Sequence, residues 1–185
     1  TIQSAVSAPE PEVIEYIAPA NTPSAPVITS STHSDVDGWY NETEAELSWT
    51  LPADVTQVRT LLNDNPTSVP TRVYETPISE ITIPDLDEGV SYFHLQFRNS
   101  EGWGRVTHYR LGVDTTAPSD IDISLPSEAD PSNPIQTLIV ETGDDISEVN
   151  RYQVIVNNGE PFEYVDETGS STVVLPALEP GSHSV

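Results

Sequence analysis

The sequence contains no cysteine, no methionine and no lysine. The absence of cysteine excludes disulfide bonds, a thiol nucleophile and thiolate metal ligands. All six basic residues are arginines, whereas Asp and Glu number 30, which gives a formal net charge of -24. Because binding to phosphates depends on basic side chains, this charge argues against nucleic acid and against an anionic lipid surface as partners.

Long apolar runs are also missing. No run approaches the roughly 18 residues that a membrane-spanning helix needs, and the first residues lack the basic and apolar pattern of a secretion signal. We therefore expect no membrane insertion and interpret the sequence as a mature or excised segment.

The first 22 residues differ from the rest. They combine Ala, Pro and Glu, which predicts an extended linker, although a strand-like patch at residues 13–17 could instead dock on a sheet. From Pro23 onward, short alternating runs are separated by Pro, Gly, Asn and Asp without a sustained helical period. This pattern predicts an all-β fold, with strands at residues 27–30, 45–50, 57–62, 71–75, 80–83, 91–98 and 107–113.

Alternation within these strands assigns their faces. Apolar residues at every second position predict that one face of each strand points into a core. The residues expected to be buried are Ala45, Leu47, Trp49, Phe93, Leu95, Phe97, Tyr109, Leu111 and Val113.

Part of the pattern recurs 92 residues later. SAP at residues 24–26 is echoed by TAP at 116–118, and LDEG at 86–89 by LEPG at 178–181. We therefore predict two tandem β-sandwiches, at residues 23–114 and 115–185. The second lacks counterparts of the last two strands and is expected to be incomplete at its C-terminus. Truncation and strand donation by another chain, with residues 13–17 as a donor, both explain this.

Several motifs then point to a family. Leu47, Trp49 and Pro52 in ELSWTLP, with Leu86, Gly89 and Tyr92 and the NSEG turn at residues 99–102, resemble a fibronectin type III module or a related immunoglobulin-like domain. The longer runs THSDVDGWYNETEAELSWTLP and GVSYFHLQFRNSEGWG look like the Ig-like tandem repeats of prokaryotic cell-surface proteins. The resemblance implies two such sandwiches that act as spacers beside adhesive domains.

The tyrosine departs from the pattern of that family. In that family a tyrosine occupies the strand corner, and the equivalent position in this sequence is Ser91. Tyr92 is therefore one residue away from that position and does not share a strand face with Phe93. We expect a bulge near Ser91.

Catalytic motifs are absent. His33, His94, His108 and His183 are scattered, and no nucleophile elbow, zinc-protease helix or nucleotide-binding loop is present. His94 and His108 could approach each other across the last two strands, as residues of the solvent face. We expect no enzymatic activity and no cofactor, with calcium as the alternative.

Calcium prefers oxygen ligands, which acidic loops supply. The candidate ligands lie around the junction of the two predicted sandwiches and in GDDISE, and are Asp114, Asp120, Asp144, Asp145 and Glu148. They do not complete an EF-hand loop, so a solvated acidic surface is the alternative interpretation.

Three aromatic residues fall outside the core pattern, namely Trp39, Tyr40 and Trp103. They could form a sugar-stacking or protein-binding platform, or they could pack the loops onto the end of the sandwich. Asn41 opens a possible glycosylation triplet, Asn-Glu-Thr.

The sequence and the resemblance therefore favour a non-catalytic structural or spacer segment of an extracellular or cell-surface modular protein. The alternatives are an adhesive module that binds glycan or protein and an assembly subunit joined by strand exchange. Expected partners are other modules of the same parent chain, and further copies or surface glycans and proteins under the alternatives.

Overall fold

The computed structural model describes residues 21–119, 121–149 and 151–185. The predicted linker at residues 1–22 therefore lies almost wholly outside the described part. Within the described part, residues 28–113 and 122–174 form separate sets of sheets, each with its own apolar core. No described helix is long and apolar enough to cross a membrane.

Seven antiparallel strands build the first set of sheets, in the places that the sequence predicts. One sheet has the order β1-β2-β5 and the other the order β4-β3-β6-β7. The strands are β1 (Ile28–Ser30), β2 (Ala45–Trp49), β3 (Gln57–Asn63), β4 (Arg72–Tyr74), β5 (Glu80–Ile83), β6 (Gly89–Asn99) and β7 (Gly102–Val113).

The first core lies between these two sheets. All nine residues that alternation predicts as inward-facing are buried. Trp49 illustrates the packing, since its ring stacks on Phe93 with centroids 6.0 Å apart and its Nε1 donates to the carbonyl of Ile78 at 2.7 Å. A buried indole thus has its polar atom satisfied, which removes the cost of burying it.

The outer edge of β7 is covered by two other parts of the chain. Pro23 packs on Gly104, and Thr107 Oγ1 donates to the carbonyl of Pro26. At the other end Tyr40 forms a parallel bridge with Val113. Covering the edge in this way protects it from pairing with another chain.

The prediction of a bulge near Ser91 is wrong. β6 pairs with β7 without interruption from Gly89 to Gln96, and the register shifts only between Gln96 and Arg98. Tyr92 keeps the regular alternation, so its ring lies on the outer face and stacks on His94. Tyr109 is instead buried in the core, and its hydroxyl donates to the carbonyl of His33 at 2.6 Å.

Five further strands build the second set of sheets, with the orders β12-β9-β8 and β10-β11. They are β8 (Asp122–Ser124), β9 (Thr137–Glu141), β10 (Arg151–Val154), β11 (Phe162–Val165) and β12 (Thr172–Val174). Leu138, Val140 and Val173 from the larger sheet pack with Val154 from the smaller one. The all-β sandwich fold is thus confirmed, whereas the domain boundaries and an incomplete second sandwich stay predictions.

Candidate functional site

The charges of the first sandwich are separated between its sheets. The strands of β4-β3-β6-β7 contain five of the six arginines of the chain and no Asp or Glu. The strands of β1-β2-β5 contain two glutamates and no arginine. Because side chains alternate along a strand, Arg59, Arg98 and Arg110 project from the outer face of the four-stranded sheet, opposite the core.

At one end of this outer face, two arginines flank an indole. The guanidinium carbon of Arg59 lies 4.3 Å from the centre of the Trp103 ring, and that of Arg98 lies 5.7 Å from it. Gln96 and Gln57 fix the two guanidinium groups, since they accept from Arg59 Nε at 2.6 Å and from Arg98 Nη1 at 2.8 Å. The cation-π contacts therefore hold the hairpin between β6 and β7 against the sheet.

At the other end, Arg110 stacks on Trp39 at 4.8 Å. Its Nη1 also donates to the carbonyls of Val36 and Gly38, each at 3.0 Å. Tyr40 secures the same loop, because its amide donates to the carbonyl of Gly112 at 3.1 Å. Arg110 and Tyr40 together hold the loop before β2 on the edge of the sheet.

The structure does not bring the three predicted ligand-binding aromatics together. Trp39 and Tyr40 lie beside Arg110 and Gly112, whereas Trp103 lies at the opposite end of β7. Arg110 pairs with Tyr92 and Trp103 with Arg98, and at about 3.3 Å per residue this stretch of β6 spans roughly 20 Å. Each aromatic packs a loop onto the sandwich, so a platform built from all three has no geometric support here, and ligand binding by any of them stays a prediction.

Two histidines meet in the middle of the outer face. His94 Nδ1 and His108 Nδ1 lie 2.6 Å apart, and His94 Nε2 lies 2.9 Å from Asn63 Oδ1. Since the amide oxygen only accepts, His94 donates from Nε2 and, when both rings are neutral, accepts from His108 at Nδ1. The contact between the histidines is as the sequence suggested, but the placement of His94 on a solvent face is wrong because its side chain is fully buried.

This histidine pair predicts a loss of stability in mild acid. Burial lowers the pKa of both imidazoles, and the charge of His108 lowers that of His94 further. Arg110 and Arg59 occupy the neighbouring rows of the same face. The unfolded chain then binds more protons below about pH 6.5, so stability is complete above that pH and falls as the pH drops through the lowered pKa values.

The check is the melting temperature of the wild type and of His94→Gln between about pH 7.5 and 5. We expect the wild type to lose more stability over this range than the variant. The exposed His183, changed to Gln, serves as the control and should behave as the wild type. An equal pH dependence of the wild type and His94→Gln would contradict the prediction.

Glu88 ties down the segment that follows β7. Its Oε1 accepts hydrogen bonds from the hydroxyls of Thr115 and Thr116 and from the amide of Thr115, and these bonds hold its pKa below the usual value. Asp114 Oδ1 accepts from the amide of Thr116 at 3.0 Å. The segment between the two sets of sheets is thus anchored to the first of them.

Of the predicted calcium ligands, the structure brings together Asp114 and Asp144. The amides of Ile146 and Ser147 donate to Asp144 Oδ1, and with a contact to the Asp114 carboxyl they lower its pKa. Asp145 and Glu148 are exposed. Asp120 lies outside the described residues, and among those described no three carboxylate or imidazole groups gather closely enough to hold a metal ion.

The alternative interpretation, a solvated acidic surface, predicts that calcium has little effect on stability. The melting temperature in millimolar calcium should equal that in chelator within error, because a ligand that does not bind the native state cannot stabilise it. Asp144→Asn, which removes one of the two neighbouring carboxylates, should also show no difference between the two conditions. A calcium-dependent rise that disappears in Asp144→Asn would establish the site instead.

Asp166 was not singled out from the sequence, yet it organises the loop between β11 and β12. Burial opposes its ionisation, but hydrogen bonds from the hydroxyl of Thr168 and from the amides of Ser171, Thr168 and Ser170 outweigh it and lower its pKa to about 2. The sequence did indicate this role through the spacing of Asp166 and Thr168, because an Asp side chain commonly accepts a hydrogen bond from the backbone amide two residues later. The carboxylate thus has a structural role.

Asn41, the candidate glycosylation residue, is exposed directly after the Tyr40 bridge. Its side chain is therefore accessible, and its modification stays a prediction. The grouping of the arginines on one sheet is the other feature that the sequence analysis missed. Alternation in the sequence places Arg59, Arg98 and Arg110 opposite core residues, but it does not show that their strands share one sheet.

Comparisons with known proteins identify no family. No protein-family model matches the sequence, and no curated protein matches it. Among solved structures, the chain is similar to a crystal structure of the chicken CNTN1 FN1-FN3 domains, with 13% identity, a TM-score of 0.42, and coverage of 89% of this chain and 57% of that one. The chain spans just over half the length of that structure, and at this identity such a likeness concerns the fold alone.

Proposed function

We propose that the chain is a non-catalytic structural segment of a modular extracellular protein, in which β-sandwiches act as spacers. The observation that supports this function is the repetition of one strand arrangement. β9 begins and ends 92 residues after β2, and β10 begins 92 residues after Arg59 in β3. Repeated sandwiches are common in cell-surface proteins, and the sequence motifs resemble those of prokaryotic ones.

The anchoring of the segment after β7 supports a spacer in particular. Glu88 restrains Thr115 and Thr116, and Pro118 follows two residues later with a fixed backbone angle. A spacer must limit bending between its modules, and both features restrict the backbone at this point. The arrangement therefore suits a segment that sets a distance.

Distance measurements between spin labels test the proposal. Since the chain has no cysteine, Asp64→Cys and Glu167→Cys introduce two specific labelling sites, one on each side of the anchored segment. We expect a monomer with one narrow distance distribution, which Glu88→Ala should broaden. Glu80→Ala removes the same charge elsewhere on the first sandwich and should leave the distribution narrow. A broad distribution in the parent protein would contradict a spacer role.

Assembly by strand exchange is a second candidate, and one observation favours it. β10 pairs with β11 on one side, and no described strand pairs with its other side. A groove of about 230 Å³ opens at β10, lined mainly by apolar side chains that include Leu138, Val140, Val154 and Val173. Sedimentation over a range of concentrations tests the idea, because strand exchange predicts stable oligomers and a monomer throughout would exclude it.

A further inference from the structure

We propose that the outer face of the four-stranded sheet binds an extended acidic peptide segment of a partner protein. We call this surface the arginine face and define it by Arg59, Arg98 and Arg110 with the side chains between them on β3, β6 and β7. The proposal does not depend on the spacer function, since a spacer can carry a docking surface.

Charge is the first argument. In a chain with 30 acidic residues, β3, β4, β6 and β7 have none, while the strands of every other sheet include at least one Asp or Glu. A general scarcity of acidic residues in strands does not explain this difference. Carboxylates stand on the rim, where Glu75 accepts from Gln57 and Glu101 lies in the hairpin. Asp37 lies between the two residues whose carbonyls accept from Arg110. The arginine face therefore presents positive potential on an otherwise negative protein.

The described neighbours of Arg98 and Arg110 leave the charge of these two residues in place. The described contacts of Arg98 and Arg110 are with neutral groups, namely the amide oxygen of Gln57, two backbone carbonyls and the two indole rings. Neutral acceptors orient a guanidinium without cancelling its charge. Stacking on Trp103 and Trp39 adds rigidity, so little side-chain freedom is lost when a carboxylate binds.

The spacing of side chains on the arginine face favours a partner segment in an extended conformation. The outer residues of the arginine face stand in rows two residues apart, from Arg110 beside Tyr92 to Trp103 beside Arg98. The row spacing is about 7 Å, which equals the spacing of alternate side chains in an extended peptide. The face measures roughly 20 by 15 Å, less than half of the about 800 Å² that each partner contributes to a standard globular interface.

Composition favours a peptide over other anions. Surfaces that bind proteins are rich in Arg, Trp and Tyr and poor in Lys, Glu and Asp. The arginine face has this composition, with Tyr92 and Leu61 as its apolar elements between the arginines. Its indole rings are stacked against guanidinium groups, which leaves them less suited to stack on sugar rings.

Fluorescence anisotropy with labelled synthetic peptides tests the proposal. One peptide of about eight residues alternates Glu and Ser, and a matched peptide alternates Gln and Ser. At low salt, near 0.05 M, we expect the intact chain to bind the Glu peptide and not the Gln peptide, with binding lost near 0.5 M. Arg98→Gln should weaken binding about tenfold, since it removes one charge-assisted contact.

Arg151→Gln is the matched control, because it removes the same charge from an exposed arginine of the second set of sheets. It should bind as the wild type does. Arg98→Lys keeps the charge and should retain part of the affinity, which separates a local charge effect from misfolding. Equal binding of the Gln peptide, an unchanged affinity in Arg98→Gln, or tighter binding of polygalacturonate than of the Glu peptide would each overturn the proposal.

Discussion

Leu95→Ala should lower the free energy of unfolding of the first sandwich by about 2 to 5 kcal/mol and leave the second one unchanged. Leu95 has no exposed surface and packs in a core to which residues 122–174 contribute no buried residue. Truncation removes apolar contacts and leaves a cavity that close-packed neighbours such as Phe93 and Phe97 cannot fill. The expected loss is a large part of the stability of a small sandwich.

Tryptophan fluorescence measures this change selectively. All three tryptophans, Trp39, Trp49 and Trp103, lie in the first sandwich. Denaturant titrations followed by Trp emission should show a lower midpoint for Leu95→Ala, while circular dichroism retains a second transition from the remaining strands.

Val173→Ala is the reciprocal control. Val173 is buried in the second core, so its truncation should move the second transition and leave the Trp midpoint in place. If Val173→Ala moved the Trp midpoint as far as Leu95→Ala does, the two cores would unfold as one cooperative unit, and the division into two sandwiches would be wrong.

Gly104→Ala should release the segment at residues 21–26 from the edge of β7. A Cβ atom at Gly104 would overlap the backbone oxygen of Pro23, so the segment that contains Pro23 would have to move away from β7. Such overpacking costs about 1 to 3 kcal/mol. Asn99 should lose its bond to the carbonyl of Asn21 as the segment lifts, which would expose the edge of the sheet.

Hydrogen exchange of residues 21–26 and 102–107 checks this result, with faster exchange expected in the variant. Gly143→Ala is the control, because its Cβ would meet only Ser119 Oγ at an ordinary 3.9 Å. The control should change stability by no more than about 0.5 kcal/mol. Unchanged exchange in Gly104→Ala would show that the segment is not held against β7.

The sequence was sufficient to predict features that depend on neighbouring residues in the chain. Alternation along Phe93, Leu95 and Phe97 predicted both a strand and its buried face, since side chains of a strand point to opposite sides in turn. The prediction of a bulge near Ser91 was wrong because it was transferred from the pattern of a family. The actual register is set by pairing with β7, and the break falls two residues before Asn99.

The candidate site shows a similar division. The sequence identified Trp39, Tyr40 and Trp103 as residues outside the core, but it could not show that the indoles lie at opposite ends of β7. Nor could it show that Arg59 and Arg110 stack on them, because Arg59 and Trp103 are 44 residues apart in the chain. Contacts of this kind depend on strand order, which composition and spacing do not contain.

The sequence by itself determined an all-β chain with a repeat of 92 residues, because strand periodicity and turn residues act over a few neighbouring positions. Only the tertiary structure decided which strands lie side by side, that His94 is buried against His108, and that five arginines share one sheet without a carboxylate in its strands. The reason is that strand pairing joins residues distant in sequence, and packing then fixes the surroundings of each charge.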